Sequence, residues 1–410
     1  MTHVCRACYS PLSFVFADLG RSPPSNAFRT REQLDQPEYT LPLRVFVCDN
    51  CKLVQMPAYE QPENIFTDYA YLSGASPTWI QHTKEFAATM TAALNLTKES
   101  LVAEVASNDG CTLQHFQDLG VPVIGVEPAE NVARIATKKG VPTIVAFFGK
   151  KIAREIAASH GHADLIHAAN VLAHVPNIHD FVSGFTELLA PQGIATFEFP
   201  HIGNLIKETQ LDTIYHEHYS YLSLLALEPI FRSHWLRVCH VDRLSTHGGS
   251  IRLHVCHSNS RHLEDATVAI LRADETYMGL NDLKTYSRFQ KKAERVKRYL
   301  VQFLMDRAEA NTRVVGFGAP AKATTLLNFC GIDADLVRYT VDAAVTKQGK
   351  YIPGTRIPIY AEEELFTDRP DYILIFPWNL TDAIIVKCAG HYEKQPVFMW
   401  AIPRLTLLRA

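Results

Sequence analysis

The stretch Ile214-Tyr215-His216-Glu217-His218-Tyr219 puts two phenols, two imidazoles and a carboxylate into six residues. An unperturbed imidazole titrates near neutral pH, so the cluster suits proton abstraction there. On a helix, Tyr215, His218 and Tyr219 would share one face. On an extended segment, Tyr215, Glu217 and Tyr219 would share one face and the histidines the other. Either geometry sets a phenol beside a titratable group, and a plain polar surface turn is the competing reading. The stretch lies between two strand-like runs, 194–199 and 251–256.

Four cysteines form a second chemical group. Cys5-Arg6-Ala7-Cys8 and Cys48-Asp49-Asn50-Cys51 are two CxxC pairs, each able to fold into a knuckle that aims two thiolates at one cation. Together they predict a structural Zn²⁺ site with a closed coordination sphere, hence no catalytic role for the metal. A redox CxxC would call for a flanking βαβ pattern, which is missing here. The residues between the pairs need structure of their own: turns at Pro23, Pro24 and Pro42, and a strand over 44–47.

The elements that must hold these groups can be read along the chain. Residues 79–94 read as a helix. A strand over 101–105, the small-residue turn Ala106-Ser107-Asn108-Asp109-Gly110 and a helix over 112–119 make a ligand crevice at the carboxyl edge of a parallel sheet. A second strand ends in Glu127, a carboxylate placed to accept from ribose hydroxyls. Further strands at 141–144, 164–170 and 193–200 alternate with helices, which predicts a doubly wound sheet. The first loop lacks the GxGxxG glycines that admit a pyrophosphate, so a nucleoside without phosphate, S-adenosylmethionine (SAM), fits better than a dinucleotide. Glu104, Ala106, Asn108, Gly110, Glu127 and Asn170 are the candidate cofactor contacts. Tyr69 and Tyr71, beside the Ser73-Gly74 segment, are candidates for a substrate wall, and an ordinary packed connector is the alternative. His174 and, ranked below it, His201 follow later strands at the same edge.

Residues 260–310 read as a long amphipathic helix with Lys291, Lys292, Arg295, Lys297 and Arg298 solvated. Gly316-Phe317-Gly318-Ala319-Pro320-Ala321 follows a β-branched strand and opens a helix, a phosphate-loop pattern. Strands over 337–341 and 372–376 complete a second α/β unit. Lys322 and Lys347 are its candidate contacts to a diphosphate.

The 410 residues predict more than one core. Hydrophobic residues make up 47%, charged ones 20%, and the net charge is −3 with no basic stripe, so no nucleic-acid partner is expected. No apolar run nears the roughly 18 residues of a membrane span, and the first residues show no signal pattern. A cytoplasmic protein is expected, and its nine cysteines are then thiols or metal ligands.

In order, Cys5xxCys8, Cys48xxCys51, Glu104-Val-Ala-Ser-Asn-Asp-Gly110, Gly125-Val-Glu-Pro128, Asn170-Val-Leu-Ala-His174, Tyr215-His-Glu-His-Tyr219, Gly248-Gly-Ser-Ile-Arg252 and Gly316-Phe-Gly-Ala-Pro-Ala-Lys322 run through the chain. In this the chain resembles, over essentially its whole length, the SAM-dependent sugar C-methyltransferases that act on nucleotide-linked 4-keto-6-deoxy sugars. The resemblance implies an α/β protein in three parts: a zinc-binding module (1–66), a Rossmann-like SAM-binding domain (67–258) and a C-terminal Rossmann-like nucleotide-sugar domain (259–410). It implies His218 as the base that removes the sugar C-3 proton to form an enolate, with Tyr215 and Glu217 assisting. A monomer or weak oligomer is expected. The alternatives are an NAD(P)-dependent oxidoreductase with two nucleotide domains and a non-catalytic zinc scaffold.

Overall fold

The computed structural model describes residues 3–67, 69, 72–392 and 395–409. They form two compact units. One comprises the residues to Ser13, Cys48–His201 and Tyr219–Asn281; the other comprises Phe14–Val47, Ile202–His218 and the chain from Asp282 onward.

The first unit is built on a seven-stranded sheet. Its order is Leu236–Leu244, Ser250–His257, Leu189–Pro200, Ala163–Ala169, Val102–Val105, Val123–Val126 and Thr143–Ile144. The last five of these run parallel, and Ser250–His257 is antiparallel to both its neighbours. Val102–Val105 is buried at every position, as a central parallel strand covered on both faces must be. From it the chain winds outward through 123–126 and 143–144, then crosses back to 163–169. That reversal puts the topological switch point between Val102–Val105 and Ala163–Ala169, where ligands of such sheets bind. The helix Pro77–Leu94 starts with Pro77 in its first turn and Ser76 accepting the Trp79 N–H. It packs Phe86 and Met90 with Leu113, Phe116 and Val102 in one core.

The second unit carries the antiparallel pair Phe14–Ser22 and Leu41–Val47 and a six-stranded sheet. The order there is Ile359–Tyr360, Thr340–Val341, Val314–Phe317, Tyr372–Ile375, Val397–Trp400 and Thr406–Arg409, all parallel except the last. Its switch point lies between Val314–Phe317 and Tyr372–Ile375. The helix Phe289–Glu309 buries Phe289, Ala293, Val296, Leu300 and Leu304, a single helical stripe.

Several expectations need correction. The single helix over 260–310 is three: Ala266–Tyr277, Leu283–Ser287 and Phe289–Glu309. Left-handed Gly279 and the Asp282 cap, which accepts the Lys284 N–H, break it. Lys292 and Lys297 are half-buried and donate to the carbonyls of Ile206 and Phe329; they are not simply solvated. Pro42 is no turn residue but the second residue of the strand Leu41–Val47, a position that tolerates a missing N–H.

Candidate active site

The crevice of the first unit is formed by two loops leaving adjacent strands. Ala106, Asn108 and Gly110 have φ of +55°, +50° and +75°, and Asn170 has +55°. Non-glycine residues held in this region are strained, and such strain gathers at ligand clamps. Glu127 fixes the loop from the next strand: its Oε2 accepts the Asn108 N–H at 2.8 Å and its Oε1 the Ala129 N–H at 2.9 Å. Burial raises its pKa above the usual range, against those two hydrogen bonds. The Asn108 side chain accepts the Ser73 N–H at 2.8 Å, and Asp109 accepts the Gly74 N–H at 3.2 Å and pairs with Lys139 at 2.8 Å. Gly74 is required here, because a Cβ would stand 2.4 Å from Asp109 Oδ2.

The crevice has the polar groups a ligand would satisfy. Glu104 Oε2, Ser107 Oγ and Asn170 Oδ1 are buried without a protein partner. Burial pushes Glu104 up to about 8, with Thr112 pulling against it and the Asp109 and Glu127 charges adding to it. Three buried polar atoms without a protein partner, on the strand Val102–Val105 and the two loops at the switch point, suit a ligand rich in polar groups and carrying positive charge, as SAM is. Of the six candidate cofactor residues, Glu104, Ala106, Asn108 and Gly110 come from one strand and its loop, Glu127 reaches that loop, and Asn170 begins the loop of the neighbouring strand.

The two cysteine knuckles repeat one geometry. Tyr9 and Lys52, each four residues past a first cysteine, have φ of +60° and +59°. Their N–H groups donate to the Cys5 and Cys48 carbonyls at 2.9 and 3.0 Å. The four sulfurs lie within 4.8 Å of one another, with Cys5–Cys51 at 3.5 Å and Cys8–Cys48 at 3.4 Å. A Zn²⁺ tetrahedron with Zn–S of about 2.3 Å has an edge of roughly 3.8 Å, so the set fits the ion. Gln55 Nε2 donates to Cys5 Sγ at 3.0 Å, a contact that favours thiolate.

In the second unit the cluster at 215–218 is neither helix nor strand but a turn, closed by the His218 N–H donating to the Tyr215 carbonyl at 2.9 Å. The turn brings the i and i+3 rings together: Tyr215 and His218 have centroids 4.0 Å apart. His218 Nδ1 meets the Thr213 carbonyl at 2.7 Å. Only a protonated Nδ1 can donate there, which places the ring's lone pair on Nε2. His216 is set the other way, with Nε2 donating to the Pro42 carbonyl at 3.1 Å. Buried Glu217 accepts from Asn26 Nδ2 at 2.6 Å.

The same unit fixes this turn beside its own sheet. Thr325 Oγ1 donates to the Ile214 carbonyl at 2.8 Å, and Trp378 Nε1 donates to Asp212 Oδ2 at 2.7 Å. Trp378 follows Tyr372–Ile375, at the switch-point edge. Lys322, in the first turn of Ala321–Cys330, has Nζ 4.3 Å from the Trp378 ring centre and 2.9 Å from Asn379 Oδ1. Burial pushes Asp212 up to about 6, opposed by the Lys322 charge and the Trp378 N–H. Lys347 Nζ donates to the Ala319 carbonyl at 3.0 Å and pairs with Asp342 at 3.4 Å. The loop glycines serve packing: a Cβ on Gly316 would stand 2.6 Å from Phe376 and Thr340, and one on Gly318 2.8 Å from Pro377.

Sequence reasoning missed Asn26, Asp212 and Trp378, which no local motif marks. In the first unit, Tyr69 packs its ring on Phe66 (5.6 Å), which meets His174 edge-on (5.5 Å); Tyr71 lies outside the described residues. His201 is buried against Glu275 at 2.8 Å, and Glu275 also accepts the Leu224 and Leu225 N–H groups, so His201 serves a helix start.

Fold and crevice together define an α/β protein with a polar crevice at a sheet switch point and a cluster of four cysteines suited to a metal. Family models match three segments: "Putative zinc binding domain" over 5–66, "Methyltransferase domain" over 79–241 and "C-methyltransferase C-terminal domain" over 245–403. The chain is 35% identical to C-methyltransferase NovU of Streptomyces niveus over 406 residues, covering 99% of this chain and 97% of that protein. It therefore belongs to the C-methyltransferase family. SAM is its cofactor and Zn²⁺ its metal. The expectations of an oxidoreductase and of a non-catalytic scaffold fall with that membership. Solved structures are alike only in part. Magnesium protoporphyrin IX methyltransferase from Synechocystis matches at 16% identity and TM-score 0.33, over 43% of this chain and 79% of that one. The PH0226 protein from Pyrococcus horikoshii matches at 12% identity and TM-score 0.37, over 48% and 99%. Scores this low carry no weight on function. Among the described residues, no helix is long and apolar enough to cross a membrane.

Proposed function

We propose that this C-methyltransferase methylates C-3 of a nucleotide-linked 4-keto-6-deoxy sugar through an enolate, with His218 as the base. The observation that carries the reading is the turn at 215–218, where one phenol and one imidazole of fixed tautomer meet beside the switch point of a nucleotide-binding type of sheet. A carbonyl at C-4 acidifies the C-3 proton, and His218 Nε2 is the atom to take it. The Nδ1–H anchored on the Thr213 carbonyl stabilises the imidazolium that forms, and Glu217 assists in proton transfer or orientation. The Tyr215 hydroxyl serves as donor to the enolate oxygen. Glu104, Ala106, Asn108, Gly110, Glu127 and Asn170 hold SAM, which supplies an electrophilic methyl group. Four thiolates leave the zinc no open position, so its part is structural.

Lys322, and Lys347 near the Ala319 carbonyl, bracket the loop where a sugar diphosphate would lie. Binding energy gained there orients the reacting ring. Tyr69, Tyr71 and His174 are the proposed contacts to the sugar. This reading assigns 1–66 to metal binding, 67–258 to SAM and 259–410 to the nucleotide-sugar, in a monomer or weak oligomer. Two measurements test it. Incubation with SAM and a panel of dTDP- and GDP-linked 4-keto-6-deoxy sugars should add one methylene to one of them, retained after reduction of the ketone. His218→Gln and His218→Ala should lose turnover while SAM still binds; near-native turnover in either removes His218 as the base.

A further inference from the structure

The hairpin formed by Leu236–Leu244 and Ser250–His257 carries a second cluster of metal-ligating side chains that the methyl-transfer reading leaves unused. His240 and His254 face each other across the strands as a direct register pair, and Asp242 lies two residues from His240 on the same face. The hairpin thus aims all three at one point. One ligand atom from each lies within 4.8 Å of the others. His240 Nε2 is 3.0 Å from Asp242 Oδ1, and His254 Nε2 is 2.8 Å from Asp242 Oδ2. Two imidazoles therefore converge through the same nitrogen on one carboxylate.

Beyond these three, Asp265 holds His240 Nδ1. A carboxylate on the far nitrogen is the supporting arrangement usual behind a metal-bound histidine. A cation that displaces the Nε2 proton would take up the lone pair of His240 and the Asp242 carboxylate together. The charge count agrees. Glu198, Asp242 and Asp265 are three carboxylates against one guanidinium, Arg252, which Glu198 holds at 2.7 Å and which stands 3.6 Å from Asp242. With neutral imidazoles the excess is two negative charges, the charge of one divalent ion. The cluster opens on a surface cleft of about 350 Å³ lined by His240, Val241, Asp242, Arg243, Thr267 and Ile270, so an ion has a way in.

We infer that His240, Asp242 and His254 form a second metal site, for a borderline divalent cation such as Zn²⁺ held by two imidazoles and one carboxylate with a fourth position left to water. It differs in kind from the thiolate site, and that difference makes it testable in the full-length protein. Zn²⁺-saturated, dialysed wild type should hold two ions per chain with micromolar or tighter affinity for the second. His240→Ala/His254→Ala should hold one. Asp265→Asn, which touches no ligand atom of the ion, should weaken the second ion by roughly tenfold to a hundredfold. Co²⁺ separates the sites without any variant: the thiolate-bound ion gives sulfur-to-cobalt charge transfer, and the second ion should add ligand-field bands with no further thiolate band. One ion per chain in the wild type, a second ion that survives the double substitution, or a second thiolate band would each overturn the proposal.

Discussion

Glu104→Gln tests the cofactor crevice quantitatively. Glu104 is buried in Val102–Val105, its Oε2 has no protein partner, and burial above all lifts it from an ordinary value of 4.5 to about 8. At pH 7 such a group is roughly nine-tenths protonated, and at pH 9 roughly one-tenth. SAM brings a net positive charge, which favours the carboxylate. Binding should therefore release up to roughly 0.9 proton at pH 7 and roughly 0.1 at pH 9. Titration calorimetry in two buffers of different ionisation enthalpy counts that proton, and Glu104→Gln should release none from this position. Stability follows with a definite sign. The folded value lies above the unfolded one, so the unfolded chain ionises first and the ligand-free protein loses stability as pH rises from 4.5 to about 8. At about 1.4 kcal/mol per unit the full loss is roughly 5 kcal/mol, and the Gln variant should lack it. Zero proton release by the wild type at pH 7, or equal release by both proteins, refutes the reasoning.

Other residues give sharper yes-or-no outcomes. Asn26→Ala strips the Glu217 carboxylate of its 2.6 Å donor; a loss of about 1.5–3 kcal/mol predicts kcat lowered by tenfold or more, with SAM affinity unchanged by calorimetry. Cys48→Ser should weaken the thiolate-to-cobalt band, since three thiolates remain, and lower the melting temperature, while protein that remains folded keeps its rate of methyl transfer. Gly316→Ala drives a Cβ into Phe376 and Thr340 at 2.6 Å and should cost about 1–3 kcal/mol in thermal unfolding, whether or not a nucleotide is bound.

Much of the scaffold was legible because it repeats a local signal. Short β-branched runs ending in small or acidic residues marked the strands at 102–105, 123–126 and 314–317, and paired CxxC knuckles marked the metal. What local pattern could not supply was partnership across long separations. Asn26 and Glu217 meet across 191 positions, and Asp212 and Trp378 across 166. Periodicity left 215–219 open between helix and strand because the segment is a turn, set by hydrogen bonds to Thr213, Ile214 and Pro42 and not by its own spacing. Glycines at 316 and 318 suggested a phosphate loop, yet each is needed to let neighbouring side chains close in. That ambiguity is intrinsic, since a missing Cβ leaves the same mark whatever fills the space.

The adjacent histidines of the turn look like a spare copy of one function. Their anchors say otherwise. One ring hands its proton to a carbonyl through the nitrogen farther from the backbone, the other through the nearer one. Seen by nitrogen-15 resonance, they should report opposite tautomers in the neutral state. Loss of one cannot be made good by its neighbour, because the proton-accepting nitrogen of each is a different ring atom, and a shift of register by two residues would present an imidazole through the wrong one.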